Sequence, residues 1–142
     1  MQGLLEPATA RAILWPTACH LGLVVALYGW LSAERAVNVL RGGSYRDLAT
    51  PGGDRGRAVR VAANLGNQFE APALFYPLAL ALFATERVVV ADILLAWVFV
   101  AGRLLHTAVQ TLTTNVPLRG AVFSISFIAI IGLWLRFLAS VL

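Results

Sequence analysis

The sequence predicts an all-α membrane protein, an up-down bundle of four transmembrane helices, and three observations predict it. Hydrophobic residues make up 59% of the chain and charged residues 13%, against about 25% charged in soluble domains. Four stretches are long and apolar enough to cross a hydrocarbon core of about 30 Å at a helical rise of about 1.5 Å per residue. The last two connections between them are short, which makes consecutive helices antiparallel neighbours. The 142 residues read as one domain, 1–142, with no internal repeat and no low-complexity tract.

The first stretch runs from Ala12 to Ala33 without a charged residue. A cleaved signal peptide needs a basic leader and an apolar run of about 7–15 residues. Here Glu6 precedes Arg11 and the run is longer, so the stretch reads as an uncleaved span. Cys19 is the only cysteine, which excludes an internal disulfide and a cysteine-rich metal site; no metal is expected. Beside His20 it reads as a small buried thiol next to a hydrogen-bonded histidine. The segment from Gly42 to Gly56 is rich in glycine and contains Pro51, so it reads as a loop. Arg35, Arg41, Arg46, Arg55, Arg57 and Arg60 lie in or beside it, offset by Glu34, Asp47 and Asp54. Cytoplasmic loops hold the excess of Arg, so this loop is expected inside and both termini outside. The pI of 10.2 is thereby a matter of topology; with no Lys and no basic polar face, nucleic acid is not an expected partner.

The second span is expected from about Ala58 to Ala84, the third from Val88 to about Thr111 and the fourth from about Leu118 to Leu142. Thr85 to Arg87 only reverses the chain, and Asn115 with Pro117 stops one helix and starts the next. Ionisable groups at membrane depth are costly and face a protein interior or a wet cavity. At about 100° per residue, Arg60, Asn64, Asn67 and Glu70 fall on one face of the second span, roughly 120° wide. Arg103, His106, Thr107 and Gln110 fall within roughly 100° on the third. Arg119 at the start of the fourth span and Arg35 at the end of the first share their depth. Singly, each cation could snorkel to headgroups and Glu70 could pair with an Arg; as a set they point to a ligand site. Asp92 and Arg136, toward the outer ends of their spans, read as structural, and Trp15, Tyr28, Trp30, Trp97 and Trp134 as belt or packing aromatics.

Arginine forks suit carboxylates, a carboxylate such as Glu70 suits an ammonium, and amides such as Asn67 suit a peptide unit. Glutathione carries all three, and a cation such as Arg119 beside its sulfur would lower a thiol pKa of about 8.5.

The run Asn67-Gln68-Phe69-Glu70-Ala71-Pro72, followed by Leu74-Phe75-Tyr76, resembles the Asn-x-x-Glu-x-x-Pro signature, in its bacterial form, of the MAPEG family (membrane-associated proteins in eicosanoid and glutathione metabolism). Gly102-Arg103-Leu104-Leu105-His106-Thr107 and Pro117-Leu118-Arg119-Gly120 are similar to runs in the branch that makes prostaglandin E, and Glu34-Arg35-Ala36 to the basic end of the family's first helix. The resemblance implies a homotrimer in a bacterial inner membrane, with glutathione held between protomers at the cytoplasmic side. It assigns glutathione binding to Asn67, Glu70, Arg103 and His106, less directly to Arg35, and thiolate stabilisation to Arg119. Where well-studied members carry Arg four residues before the signature Asn, and often another directly before it, this chain has Ala63 and Gly66; Arg60, one turn earlier, is the expected substitute. Gln110 replaces an aromatic hydroxyl.

The expected function is a membrane-bound glutathione-dependent transferase or peroxidase acting on lipophilic electrophiles reached through membrane lipid. The alternative is a non-catalytic lipid or small-molecule binder of the same fold. A small transporter would call for broken helices and repeat symmetry, and the sequence suggests neither.

Overall fold

The computed structural model describes residues 2–50 and 52–142. Six α-helices follow one another among the described residues: α1 (Leu14–Leu40), α2 (Tyr45–Leu48), α3 (Arg57–Asn67), α4 (Phe75–Thr85), α5 (Val90–Leu112) and α6 (Val116–Val141). Helix α1, extended at its start by the 3-10 turn Ala10–Ile13, and helices α5 and α6 are each long and apolar enough to cross a membrane. The fourth crossing is made by α3 and α4 in series, so the all-α bundle expected from the sequence stands, with one correction.

The second span is not continuous from Ala58 to Ala84. It breaks after Asn67, passes through Glu70 at φ −87°, ψ −104°, and re-forms through the 3-10 turn Ala71–Leu74 before α4 begins. Pro72 suits the break: it has no N–H to give a preceding turn, and it sits in the first turn of the new 3-10 segment, where a missing N–H costs nothing. Non-helical backbone at membrane depth persists only where protein groups take up the freed hydrogen bonds. Here Arg103 Nη2 donates to the Asn67 carbonyl at 2.9 Å and Gln68 Nε2 to that of Asn64 at 3.3 Å. The Trp134 indole donates to the Leu74 carbonyl at 3.2 Å. A broken helix is therefore present, contrary to the expectation.

Helix α1 outruns its apolar stretch and ends at Leu40, where its last turns meet the loop. That loop is tied down. Ser44 and Asp47 form a reciprocal cap around the single turn α2, and Arg35 grips Asp54 with two hydrogen bonds of 2.7 and 2.8 Å. Arg55 meets Asp47 at 2.8 Å. Gly53 is required by space, because a Cβ there would strike the Asp47 carbonyl. At the opposite end Pro7 bridges to Val89, and Ala8 N–H donates to the Val88 carbonyl at 2.9 Å, so the N-terminal segment docks against the α4–α5 turn.

Two apolar clusters fill the bundle. One gathers Ile13, Phe75, Leu78, Leu82, Phe99, Ile130 and Leu133; the other gathers Val24, Leu27, Leu31, Ala58, Val61 and Leu65. Between them, in register, lies a layer of buried polar side chains. Helices α5 and α6 approach closely at Gly102, where a Cβ would lie 3.0 Å from the Cβ and N of Ser126. Asp92, fully buried, accepts from Val89 N–H and from Arg136, so this pair is structural as the sequence suggested. Cys19 departs from expectation: the helical register turns it outward, exposed, while His20 beside it is buried and hydrogen-bonded.

Candidate functional site

The helical period of α5 turns Arg103, His106, Thr107 and Gln110 to the interior, all buried. Buried polar groups need partners, and α3 with its break supplies them. Gln110 Oε1 accepts from the amides of Asn64 at 2.9 Å and Asn67 at 3.0 Å, while Thr107 donates to Asn64 Oδ1 at 3.0 Å. At the break itself Gln68, 1% exposed, is the hub. Its Oε1 takes the Arg103 Nε–H and His20 Nε2, both at 3.1 Å, and its amide donates toward Asn64 Oδ1 at 3.2 Å. His20 Nδ1 meets the Tyr76 hydroxyl at 2.7 Å. Removing the helical hydrogen bonds of span two thus lets the Gln68 side chain point inward and knit α1, α3 and α5 together.

Two buried nitrogens of this layer have no hydrogen-bond partner among the described residues, Arg103 Nη1 and His106 Nδ1. Phe123 of α6 lies against both side chains: the Arg103 guanidinium stands 5.8 Å above its ring, and the His106 ring meets it edge-on at 5.8 Å. Outside this layer, a groove separates α3 from the beginning of α6. It consists of two adjoining cavities of about 300 and 360 Å³ that share Ala63, Gln110 and Arg119 in their walls. The first is completed by Arg60 and the α5–α6 turn, the second by Asn67, His106, Gly120 and Phe123. The small side chains of Ala63 and Gly120 leave the room.

The groove is positive. Among the described residues Arg60 reaches only the Thr113 carbonyl, at 3.4 Å, and Arg119 stands exposed in the first turns of α6, whose end is capped by Asn115 accepting from Leu118 N–H at 2.9 Å. The partial positive charge of a helix N-terminus adds to that of Arg119. Of the residues singled out in the sequence, Arg60, Asn67, His106 and Arg119 come together in this groove, with Arg103 beneath it. Glu70 and Arg35 do not join them on the single chain. Glu70 is exposed at the helix break, not buried as its membrane depth suggested, and Arg35 is engaged by Asp54. Arg35 and Asp54 also shape each other: those hydrogen bonds hold the Asp54 carboxyl below the usual carboxylate range.

Residue-by-residue reading did not single out Gln68, His20 as a network member, or Phe123. Gln68 stood inside the signature run without a role, and its role depends on the break; Phe123 follows Arg119 by four residues and so shares its face.

The MAPEG family profile matches residues 13–139. The chain belongs to the MAPEG family. The match covers the four crossings, the loop and every residue of the groove, and makes this an integral membrane protein of a family concerned with eicosanoid and glutathione metabolism. No curated protein and no solved structure gives a significant match to it. Within this MAPEG chain, Ala63 forms part of the groove wall, while Gln110 serves as the acceptor that fixes Asn64 and Asn67.

Proposed function

We propose that the groove between α3 and α6 binds glutathione, and that the protein is a glutathione-dependent transferase or peroxidase for lipophilic electrophiles. The observation that carries this reading is a groove walled by two cations, Arg60 and Arg119, together with the Asn67 amide and the His106 imidazole. A ligand carrying carboxylates would meet the guanidinium groups of Arg60 and Arg119 in the groove wall, and its peptide unit the side chains of Asn67 and His106. A tripeptide with two carboxylates fits that donor set.

Bound glutathione supplies a thiol that reacts as thiolate. Arg119 holds the developing negative charge at sulfur, and the α6 N-terminus reinforces it. Arg60 faces a carboxylate, and Asn67 and His106 orient the peptide unit. A lipophilic partner reaches the groove from the bilayer beside α6. Glu70 and Arg35 lie away from the groove of one protomer; a homotrimer, in which a neighbour completes the site, gives them a place and gives Glu70 the glutathione ammonium as partner. The loop 42–56 lies in the cytoplasm and both termini outside, which puts the groove at the cytoplasmic face of a bacterial inner membrane.

The second reading, a lipid or small-molecule binder without thiol chemistry, rests on one observation: the Asn67 amide and the Arg103 Nε and Nη2 groups already have partners inside the protein. Titration calorimetry of the detergent-purified protein decides between them. Glutathione should bind, with an S-alkylated analogue binding more weakly; a protein that takes up neither is the binder.

A further inference from the structure

At the end of the bundle opposite the groove, two more cavities meet at Arg11. One, of about 390 Å³, is bounded by Thr9, Arg11, Phe83 and Glu86 among others. The second, of about 340 Å³, runs down the outside of α1 past Leu14, Trp15 and Ala18, with Arg11 at its rim. The first thus carries one cation and one carboxylate, and the second is apolar below the cation. Arg11 and Glu86 are both exposed, and neither forms an ion pair with a described residue, although they face the same cavity.

Depth gives this arrangement a meaning. Arg11 sits in the 3-10 turn just before the uncharged stretch of the first span, and Glu86 is the left-handed residue, φ 54°, that closes α4 before the chain reverses. Both charges therefore stand where spans leave the hydrocarbon, at the level of lipid headgroups. Trp15, 72% exposed, follows one turn deeper, by about 6 Å at about 1.5 Å per residue, the depth at which amphipathic rings mark the interface. A guanidinium fork matches a phosphate, and a carboxylate matches a primary ammonium that donates N–H bonds.

We propose that this place binds a phospholipid whose headgroup carries a phosphate and a primary ammonium, of the phosphatidylethanolamine type. Arg11 holds the phosphate, Glu86 accepts from the ammonium, and an acyl chain lies along Leu14, Trp15 and Ala18. A choline headgroup has no N–H for Glu86, and a glycerol headgroup leaves that carboxylate facing a net anion, so both are disfavoured. The site is independent of the groove and of any thiol chemistry.

Native mass spectrometry of the detergent-purified protein, offered equal amounts of phosphatidylethanolamine, phosphatidylcholine and phosphatidylglycerol with matched chains, tests it. Phosphatidylethanolamine should be retained roughly tenfold over either competitor, the size of one charge-assisted bond. Glu86→Gln should erase that preference and let phosphatidylglycerol rise to at least the same level, while Arg11→Gln should lower retention of all three. Soluble phosphoethanolamine should not compete, since it lacks the chain; competition would assign the place to a free phosphate compound and overturn the lipid reading. Equal retention of the three lipids by the unaltered protein, or a preference that survives Glu86→Gln, overturns it as well. Glu86 lies on the surface at a turn and Gln keeps its backbone preference, so this arm decides the matter even if Arg11→Gln fails to fold.

Discussion

Gln68 concentrates at one residue what holds the polar layer together. Its carbonyl oxygen serves Arg103 and His20, and its amide reaches Asn64, all in a place sealed from water. Gln68→Leu removes those bonds and leaves a guanidinium and an imidazole short of partners, each worth on the order of 1–3 kcal/mol. The variant should lose several degrees of apparent melting temperature in detergent, by fluorescence of the native tryptophans; an unchanged melt would show the layer to be dispensable. Arg119, by contrast, is exposed and supports no packing. Arg119→Leu should keep the melt and most of the glutathione affinity but abolish turnover of an aryl halide or a hydroperoxide. Glu70→Gln should instead weaken binding, roughly tenfold or more for one charge-assisted contact.

Asp54 sets a pH dependence for the loop. Its folded carboxyl titrates below an ordinary value near 4, because Arg35 donates to it. A carboxyl depressed on folding adds stability above its unfolded pKa and loses it as pH falls through the folded value. Protease cleavage within 42–56 should therefore stay slow from neutral pH down to about 5 and rise only below about 4. Asp54→Asn should be cleaved readily at every pH; equal resistance of the variant would remove the ion pair from the account.

At the scale of elements, three crossings were legible and one was legible only in part. Uncharged length betrays α1, α5 and α6, and the helical period on α5 puts Arg103, His106, Thr107 and Gln110 together on the buried face. Pro72 was equally visible, but a proline in an apolar run only becomes a break when other helices can satisfy the freed carbonyls. Those partners, Arg103 and Trp134, lie on α5 and α6, far along the chain. The same cause hid Gln68, and it put Glu70 outside, since the period that aligned it with Asn67 ends at the break. Cys19 was misjudged for a simpler reason: it neighbours buried His20, and adjacent positions on a helix point about 100° apart. Gly102 is the element-scale test of packing. A methyl group there meets Ser126 at 3.0 Å, and overpacking of this kind costs about 1–3 kcal/mol. Gly102→Ala should lower the melt and open the groove by displacing α6, whereas Gly66→Ala, with open space around it, should change neither.

For the whole molecule, the polar layer lies between two apolar clusters, and the groove sits at its level because α3 and the start of α6 carry small residues there. Of the residues that period and family resemblance single out, Arg60, Asn67, His106 and Arg119 line the groove and Glu70 and Arg35 do not; its shape and any assembly depend on contacts between helices far apart in the chain. A homotrimer should appear as the main species in native mass spectrometry from mild detergent, and a purely monomeric protein would leave Glu70 and Arg35 without a place in the site. The central claim is that the groove holds glutathione as a thiolate beside Arg119, and the ultraviolet thiolate absorbance of glutathione mixed with the purified protein at neutral pH tests it most directly. The account predicts a saturable thiolate signal in the unaltered protein that disappears in Arg119→Leu while heat of binding persists. A protein that produces no thiolate signal at saturating glutathione, or one whose signal survives the loss of Arg119, would contradict it.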